Sequence, residues 1–283
     1  MTNEQAGRLY VVATPIGNLG DFSVRARETL QRCALIAAED TRHTRVLLRH
    51  FGIATPLVSL HDHNERRRSP ELVLRMSAGA DVALVSDAGT PSISDPGYEL
   101  VSASVEAGIQ VIAIPGACAA VAALSVAALP AARFCFEGFL PARAAARREH
   151  LHSLAGEPRT LIFYESPHRI VEMLDDCRAA LGSERRAALA RELTKLHETV
   201  YRGTLAELAA SAAAGADFSR GEIVVIIAGA PPLPAQNTAG DMDRVLRALL
   251  AELPLKQAAR LAAEIVGARD NETYKRALHL KQE

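Results

Sequence analysis

The chain has 283 residues, which is long for one compact core and predicts two folded units with an appendage. Hydrophobic residues make up 49% of it and charged residues 23%, so enough apolar side chains are present to build cores. The formal net charge of -1 excludes a module that holds nucleic acid by bulk charge neutralisation alone. Any RNA partner must therefore be bound by local contacts.

Cysteine spacing and hydropathy indicate a protein of the reducing cytoplasm. The four cysteines are Cys33, Cys118, Cys135 and Cys177, without a CxxC motif or the spacing of a zinc site. No apolar run approaches the roughly 18–20 residues that a membrane span requires. We therefore predict a cytoplasmic protein without membrane association and without a bound metal.

The first part of the chain predicts strands that alternate with helices. Short runs are apolar at every position, which is typical of strands buried on both faces of a parallel sheet. These runs are Leu9–Ala13, Leu35–Ala38, Val82–Ser86 and Val111–Ile114. Ser23 is the predicted N-cap of a helix over Val24–Arg32, and Pro96 is predicted to open a helix that runs to Ala107. Residues 1–117 are therefore predicted to form an α/β domain.

More closely spaced strands after Pro130 predict a second α/β domain, over residues 118–230, with a mixed sheet. The predicted strands are Phe134–Phe139, Thr160–Tyr164, Ala187–Leu193, Val200–Leu205 and Ile223–Ala228, and the predicted helices are His168–Leu181 and Leu205–Ala214.

Residues 231–283 are predicted to form a linker and a helical tail. The proline-rich segment Ala230–Gly240 is typical of a linker. Helices are predicted over Asp241–Glu252, Leu255–Val266 and Asn271–Leu280. The last two have helix-turn-helix spacing, which fits a packing or dimerising cap and, alternatively, a DNA-binding element.

Three loops that follow predicted strands are rich in small residues. Thr14–Gly20 contains glycines without the complete dinucleotide fingerprint, Val85–Gly97 is dense in hydroxyls and aspartates, and Pro115–Ala119 opens an alanine-rich helix. Since ligands approach parallel sheets at the carboxyl ends of the strands, these loops predict a binding cleft. The structural alternative is close packing of helix on sheet, which Ala and Gly also permit.

Polar blocks also follow predicted strands and contain groups that can move protons or stabilise charge. They are Glu39–Arg42, His61–Glu65, Glu165–Arg169 and Arg191–Lys195. For any single residue, a helix cap or a surface ion pair is an equally good interpretation. His61 and His63 would point to one side of an extended segment, but the spacing fixes no third metal ligand.

Two arginine clusters allow two interpretations. They are Arg66, Arg67 and Arg68, and Arg143, Arg147 and Arg148. Each either forms a solvated helix face or contacts RNA.

These blocks, in their order along nearly the whole chain, resemble a known family. Among them are VVATPIGNLGDFSVRARETL, IAAEDTRHTRVLL, VALVSDAGTPSISDPG, VIAIPGACAAVAALSVAALP and LIFYESPHRI. The sequence is similar to the tetrapyrrole methylases, and within them to the branch that methylates a cytidine ribose 2′-hydroxyl of 16S rRNA in the decoding region of the small ribosomal subunit. The resemblance implies two α/β domains of the tetrapyrrole-methylase type and a homodimer whose protomers bind S-adenosylmethionine between these domains.

The resemblance also implies which residues contact S-adenosylmethionine. They are Asp87, Ala88 and Thr90 from one loop, Cys118 and Ala119 from the next, and Pro15 and Gly17 on the floor. The family's second loop usually reads Pro-Gly-Pro-Ser-Ala, whereas residues 115–119 here read Pro-Gly-Ala-Cys-Ala. Because a thiol replaces a hydroxyl at Cys118, only its backbone contacts are implied.

Methyl transfer to a ribose hydroxyl is an in-line displacement that requires close positioning and removal of the hydroxyl proton. We predict that residues of the polar blocks converge on the methyl group, namely Asp40, Arg42, His61, Asn64, Glu165 and Lys195. Asp40 or His61 would accept the proton. Arg42 or Lys195 would hold phosphate or the developing alkoxide, and Glu165 would orient a partner group.

Two other functions compete with RNA methylation. The fold also supports methylation of a small tetrapyrrole, but the basic clusters and polar blocks favour RNA. A DNA-binding regulator with the α/β part as ligand sensor is the second alternative. The nearly neutral net charge disfavours it.

Overall fold

A computed structural model describes residues 6–215, 221–231 and 238–281 of the chain. These residues separate into two compact units, with the boundary between Gly229 and Ala230. The larger unit contains two β-sheets with helices, and the smaller unit is helical. The predicted α/β fold with a helical tail is therefore confirmed.

The first sheet is parallel, as the continuously apolar runs predict. Its strands are β1 (Arg8–Val12), β2 (Leu35–Ala38), β3 (Leu57–Ser59), β4 (Val82–Val85) and β5 (Gln110–Ile114). They lie in the order β3-β2-β4-β1-β5, and each neighbouring pair is parallel. Strands β2 and β4 are buried at every position because helices pack on both faces of the sheet.

The helices of the first sheet follow its strands in turn. They are α1 (Val24–Arg32), α2 (Thr41–His50), α3 (Glu65–Ser77) and α4 (Tyr98–Glu106). Helices α1 and α2 bury Leu30 and Leu48 on one face, and α3 and α4 bury Met76 and Leu100 on the other. Ser23 caps α1 as predicted, since its hydroxyl accepts a backbone N–H of the first turn at 3.1 Å.

Helix α4 begins at Tyr98 and not, as predicted, around Pro96. Gly97 has φ +142°, a conformation that glycine tolerates and a helix does not contain. The first N–H groups of α4 are capped by a distant carboxylate. Glu65, which is buried, accepts the N–H groups of residues 99 and 100 at 3.0 and 3.2 Å.

The second sheet is mixed, as predicted. Its strands are β6 (Phe134–Phe139), β7 (Thr160–Glu165), β8 (Arg186–Arg191), β9 (Thr199–Thr204) and β10 (Ile223–Ile227). They lie in the order β6-β7-β10-β8-β9, with β6 and β7 parallel and the other neighbours antiparallel. Strand β8 ends before the predicted Leu193 because Glu192 has φ +53°, outside the β region.

Helices again cover both faces of this sheet. They are α5 (Ala119–Val126), α6 (Ala144–Ser153), α7 (Ile170–Leu181) and α8 (Leu205–Ala213). On one face α6, α7 and α8 bury Leu151, Met173 and Leu208, and on the other α5 buries Ala123 and Leu124. The packing of α5 on the second sheet supports a division at residues 117 and 118, which stays a prediction.

The smaller unit consists of α9 (Thr238–Glu252), α10 (Leu255–Val266) and α11 (Asp270–Leu280). Its core contains Leu246, Ala259, Ala262 and Ala277. The predicted linker extends too far, because residues 238–240 already belong to α9, while residues 232–237 lie outside the described residues. Within the described part of the chain, no helix is long and apolar enough to cross a membrane.

Candidate active site

A cavity of about 380 Å³ lies between the two sheets of the larger unit. From the first sheet, the loops that follow β1, β2, β4 and β5 line it. From the second sheet, the ends of β6 and β7 and the start of β10 line it. Ligands of α/β sheets bind outside the carboxyl ends of parallel strands, so this cavity is the candidate site.

The loops after β1 and β4 are joined by backbone hydrogen bonds at the cavity. The N–H of Thr14 donates to the carbonyl of Gly89 at 2.8 Å, and the N–H of Gly89 donates back to Thr14 at 3.1 Å. In the sheet, β2 lies on one side of β1 and β5 lies on the other side of β4. The connections that leave β1 and β4 therefore run in opposite directions along the sheet. The joined loops therefore mark the position where such sheets open a crevice for ligands.

The loop between β4 and α4 has an unusual backbone. Ser92 and Ser94 have φ +68° and +65°, a region that serine rarely adopts and that costs roughly 1–3 kcal/mol per residue. At Gly97, an added Cβ would lie 2.5 Å from the Ser92 hydroxyl oxygen. Strain of this kind persists where surrounding contacts enforce it, and it commonly marks ligand-binding segments.

Five carboxylates line the cavity, those of Glu39, Asp87 and Asp95 on the side of the first sheet and those of Glu165 and Glu222 on the side of the second, and no Lys, Arg or His is among the described residues that line it. Glu39 accepts the N–H of Asp87 at 3.3 Å, and Asp87 accepts the N–H of Asp40 at 3.0 Å. Burial, followed by repulsion from neighbouring carboxylates, raises the pKa of Glu39. Burial and the charge of Glu39 raise the pKa of Asp95 to about 6. The cavity therefore favours a cationic ligand over an anionic one.

The opposite wall is aromatic. The rings of Phe139 and Tyr164 lie 5.7 Å apart between centroids, and Phe139 is 57% exposed. The Tyr164 hydroxyl accepts the N–H of Ala120 at 3.1 Å, which ties β7 to the first turn of α5. Burial raises the pKa of this phenol above its ordinary value, so the hydroxyl stays protonated. The wall offers an apolar surface on which a flat ring can stack.

The structure brings most of the predicted cofactor-binding residues to this cavity. Those that line it are Asp87, Ala88, Thr90, Cys118 and Ala119. Pro15 and Gly17 are not among the lining residues, but they flank Ile16, which is. Cys118 is the N-cap residue of α5 and its side chain makes no capping hydrogen bond.

Asp40 and Arg42 pair with each other beside the cavity and do not line it. Asp40 is the N-cap of α2, and the Arg42 guanidinium hydrogen-bonds both of its carboxylate oxygens, at 3.1 and 2.7 Å. These hydrogen bonds hold the pKa of Asp40 well below its usual range. A carboxylate held in this way is a weak base, which argues against the predicted proton-accepting role.

His61 and Asn64 form a separate polar pair in the loop between β3 and α3. The amide nitrogen of Asn64 lies 3.1 Å from His61 Nε2, and Asn64 Oδ1 accepts the His61 N–H at 2.9 Å. The rings of His61 and His63 are 5.9 Å apart between centroids. In the described part of the chain, no group of three or more His, Cys, Asp or Glu side chains is arranged to hold a metal.

Glu165 lines the cavity, yet its side chain has 0% exposed surface. It accepts the N–H of Ser166 at 2.8 Å, and its second oxygen lies 3.3 Å from the guanidinium of Arg169. Burial raises its pKa. The Arg169 guanidinium also donates to the carbonyl of Leu140 at 2.8 Å. This arrangement agrees with the predicted orienting role, which stays a prediction.

Lys195 lies at the rim of the cavity, against the loop after β1. A Cβ at Gly17 would lie 2.5 Å from Lys195 Cγ, and the ammonium contacts Glu192 at 2.8 Å and Glu222 at 3.3 Å. Burial lowers the pKa of Lys195, but the hydrogen bonds to the two glutamates outweigh burial and raise it. Lys195 therefore stays protonated, as its predicted role with phosphate or alkoxide requires.

Sequence reasoning missed several residues that shape the cavity, among them Glu39, Asp95, Phe139 and Tyr164. Glu39 stands next to Asp40 in a polar block, and Asp95 stands in the same loop as Asp87, so a local excess of carboxylates was the available signal. Which of the neighbouring carboxylates faces the cavity depends on loop dihedrals, and no periodic pattern reveals those.

Comparison with known proteins gives full-length similarities. The sequence model of the Tetrapyrrole (Corrin/Porphyrin) Methylases matches residues 8–209, and that of the RsmI C-terminal HTH domain matches residues 236–281. Two proteins named Ribosomal RNA small subunit methyltransferase I are similar to the chain. The one from Pseudomonas aeruginosa is 56% identical over 274 residues, or 96% of this chain and 97% of that protein. The one from Escherichia coli is 53% identical over 272 residues, or 96% and 95%.

Solved structures show the same fold at low identity. The crystal structure of uroporphyrin-III C-methyl transferase from Thermus thermophilus complexed with S-adenyl homocysteine covers 78% of this chain and 97% of that chain. Its TM-score is 0.54 at 18% sequence identity, so the likeness concerns the fold alone.

Proposed function

The chain belongs to the tetrapyrrole methylase family, and within it to the proteins named ribosomal RNA small subunit methyltransferase I, and we propose that it methylates a cytidine ribose 2′-hydroxyl of 16S rRNA with S-adenosylmethionine. The proposed target lies in the decoding region of the small ribosomal subunit. The observation that carries this proposal is the 56% identity to a protein of that name over 96% of the chain.

The cavity has the chemistry that S-adenosylmethionine needs. Its sulfonium and ammonium groups are cationic, and the carboxylates of Glu39, Asp87 and Asp95 supply the opposite charge. Small residues allow the ligand to approach the backbone closely. At Gly116 an added Cβ would lie 2.9 Å from the Cβ of Ala13, so only glycine fits between these loops.

When bound, S-adenosylmethionine supplies an electrophilic methyl group on a positively charged sulfur. The residues of this chain hold it in the cleft, and the aromatic and aliphatic wall excludes water. The hydroxyl of Thr90 donates to the carbonyl of Ala117 at 3.0 Å and so fixes the two small-residue loops to each other. Asp87, Ala88, Thr90, Cys118 and Ala119 are the proposed cofactor contacts.

We propose that RNA is held at the rim of the cavity and not inside it. The carboxylates of the cavity repel phosphate, but cationic side chains stand beside it. Arg42 is 86% exposed on the first turn of α2, and the ammonium of Lys195 contacts Glu222, which lines the cavity. With a net charge of -1, the chain is expected to act on 16S rRNA within an assembled or nearly assembled small subunit, in the cytoplasm.

We also propose that the protein is a homodimer. Helix α5 is apolar along almost its whole length, and Val121 and Val126 are 56% and 38% exposed on it. Phe134, on the edge strand β6, is 42% exposed. A second copy of the chain would cover this surface, and multi-angle light scattering tests it, with a monomeric mass as the contrary result.

The proposed activity is tested with purified protein, S-adenosylmethionine and small subunits from cells that lack the gene. Nuclease digestion and mass spectrometry should reveal one new 2′-O-methylcytidine in 16S rRNA. The matched control is Asp87→Ala, which removes a proposed cofactor contact. A parental protein that binds S-adenosylmethionine but forms no such nucleoside on these subunits contradicts the proposal.

A further inference from the structure

We propose that Asp95 is the catalytic base, which accepts the proton of the ribose hydroxyl as the methyl group is transferred. This inference rests on the proposed function and adds to it the residue that removes the proton. Asp95 lines the cavity, as a general base must if it is to reach a hydroxyl brought there by the substrate.

The loop that carries Asp95 lies where the two sheets meet. Its neighbour Ser94, with φ +65°, approaches the second sheet so closely that a Cβ at Gly138 would lie 3.3 Å from the Ser94 hydroxyl oxygen. Asp95 and Tyr164 of the opposite wall line the same cavity. The strained backbone thus places this carboxylate between the loops that hold the cofactor and the wall from the second sheet.

Other carboxylates near the cavity already have partners. Asp40 is held by Arg42, Glu192 by Lys195, and the buried Glu165 lies 3.3 Å from Arg169. Glu39 accepts a backbone N–H. Among the described residues, no Lys, Arg or His forms an ion pair with Asp95, so its carboxylate remains available to a substrate proton.

The groups that face Asp95 make it a stronger base than an ordinary aspartate. Burial is the largest cause, and Glu39, Asp87 and Asp62 add repulsion from three loops, while the nearby Ser86 hydroxyl acts in the opposite direction. Together they raise its pKa to about 6. A base of this strength is ionised at neutral pH and still accepts a proton from a hydroxyl that is losing it.

The charges balance in the proposed step. The ribose oxygen forms a bond to the methyl carbon as the carbon–sulfur bond breaks, and that electron pair stays on sulfur. The sulfonium becomes a neutral thioether, and the hydroxyl proton passes to the Asp95 carboxylate. The cavity thus loses one positive charge on sulfur and gains one proton on Asp95. A sulfonium bound in the cavity would favour the ionised form of Asp95 before transfer, and the neighbouring carboxylates would favour its protonated form afterwards.

The first test measures protons and needs no turnover. Near pH 6, binding of S-adenosylmethionine should release more protons than binding of S-adenosylhomocysteine, because only the former would bring a sulfonium charge into the cavity that Asp95 lines. Isothermal titration calorimetry in two buffers of different ionisation enthalpy gives the number of protons released on binding of each ligand. In Asp95→Asn this difference should shrink. An undiminished difference in that variant would overturn the proposal.

The second test measures single-turnover methylation of small subunits across pH. Asp95→Asn should lower the rate by about 10²–10⁴-fold, and Asp95→Glu should recover part of that loss. The control Asp62→Asn removes a nearby charge that is exposed and outside the cavity lining. This variant should reach the parental rate at the plateau of the pH–rate profile. The fall of the rate on the acid side of the profile should move to lower pH, because the repulsion that raises the pKa of Asp95 is reduced.

Parental rates and an unchanged pH profile in Asp95→Asn would show that another group takes the proton. This failure differs from failure of the proposed function, in which the parental protein itself methylates no cytidine. The calorimetric result does not depend on the RNA substrate, so it is informative in both cases.

Discussion

We expect Arg147 to stabilise the larger unit and not to contact RNA, so replacing it should destabilise this unit. The Arg147 side chain is 3% exposed, and its guanidinium contacts Asp176 at 2.7 Å and Glu172 at 3.2 Å. Arg147→Met keeps an unbranched apolar stem but leaves Asp176, which is 14% exposed, without its main partner. Removing one member of a buried ion pair costs about 3–5 kcal/mol. We expect the lower end, about 3 kcal/mol, because Arg148 lies 3.7 Å from Asp176 and remains.

Thermal melting followed by circular dichroism measures this effect. For a unit of this size, about 3 kcal/mol corresponds to a fall in Tm of about 6–12 °C. The matched control is Arg148→Met, since Arg148 contacts the same aspartate but is 52% exposed, and such a pair contributes about 0–1 kcal/mol. The double variant Arg147→Met, Asp176→Leu should recover much of the Tm that Arg147→Met loses. If Arg147→Met melts like the parent and instead binds small subunits more weakly, Arg147 is an RNA contact and this reasoning is wrong.

Three further predictions concern the cap of α4 and two carboxylates of the cavity, Asp87 and Asp95. Glu65→Ala leaves one buried and one partly buried N–H group of α4 without an acceptor, which should lower the free energy of unfolding by about 1–3 kcal/mol in chemical denaturation, and Glu65→Gln should lower it less; an unchanged midpoint would contradict the capping role. Asp87→Ala should lower the affinity for S-adenosylmethionine about 10-fold or more in calorimetry, whereas Asp62→Asn should leave this affinity unchanged. Because folding raises the pKa of Asp95 from 3.8 to about 6, its proton stabilises the folded chain below about pH 4, and this contribution is lost as pH rises through 6. The Tm of Asp95→Asn should therefore exceed that of the parent near pH 7.5 and equal it near pH 4. An increase in Tm that is the same at both pH values would count against the raised pKa of Asp95.

The strands of the first sheet could be predicted because burial on both faces leaves a continuous apolar signal. Leu35–Ala38 is recovered without error, and Val82–Ser86 differs from β4 by one residue. Helix α1 could be predicted because its cap, Ser23, is local in sequence. The start of α4 could not, because its cap is Glu65, more than thirty positions earlier, and the turn at Gly97 depends on a φ of +142°.

The candidate site was only partly predictable from the sequence. The small-residue loops identified the cavity, and Asp87, Thr90 and Cys118 do line it. The catalytic candidates were chosen from polar blocks, in which helix caps and reactive groups have the same composition. Asp40 illustrates this, since it caps α2 and pairs with Arg42. Likewise α6 escaped prediction because its buried side includes Arg147, a residue that no apolar pattern contains.

The most direct test of the central claim is a map of 2′-O-methyl groups on 16S rRNA from cells with the gene, without it, and complemented with Asp87→Ala or Asp62→Asn. We predict that a single cytidine methyl in the decoding region disappears with the gene, returns with the parent and with Asp62→Asn, and does not return with Asp87→Ala at equal protein level. If the map is the same with and without the gene, the chain does not methylate this RNA and the proposed function is wrong.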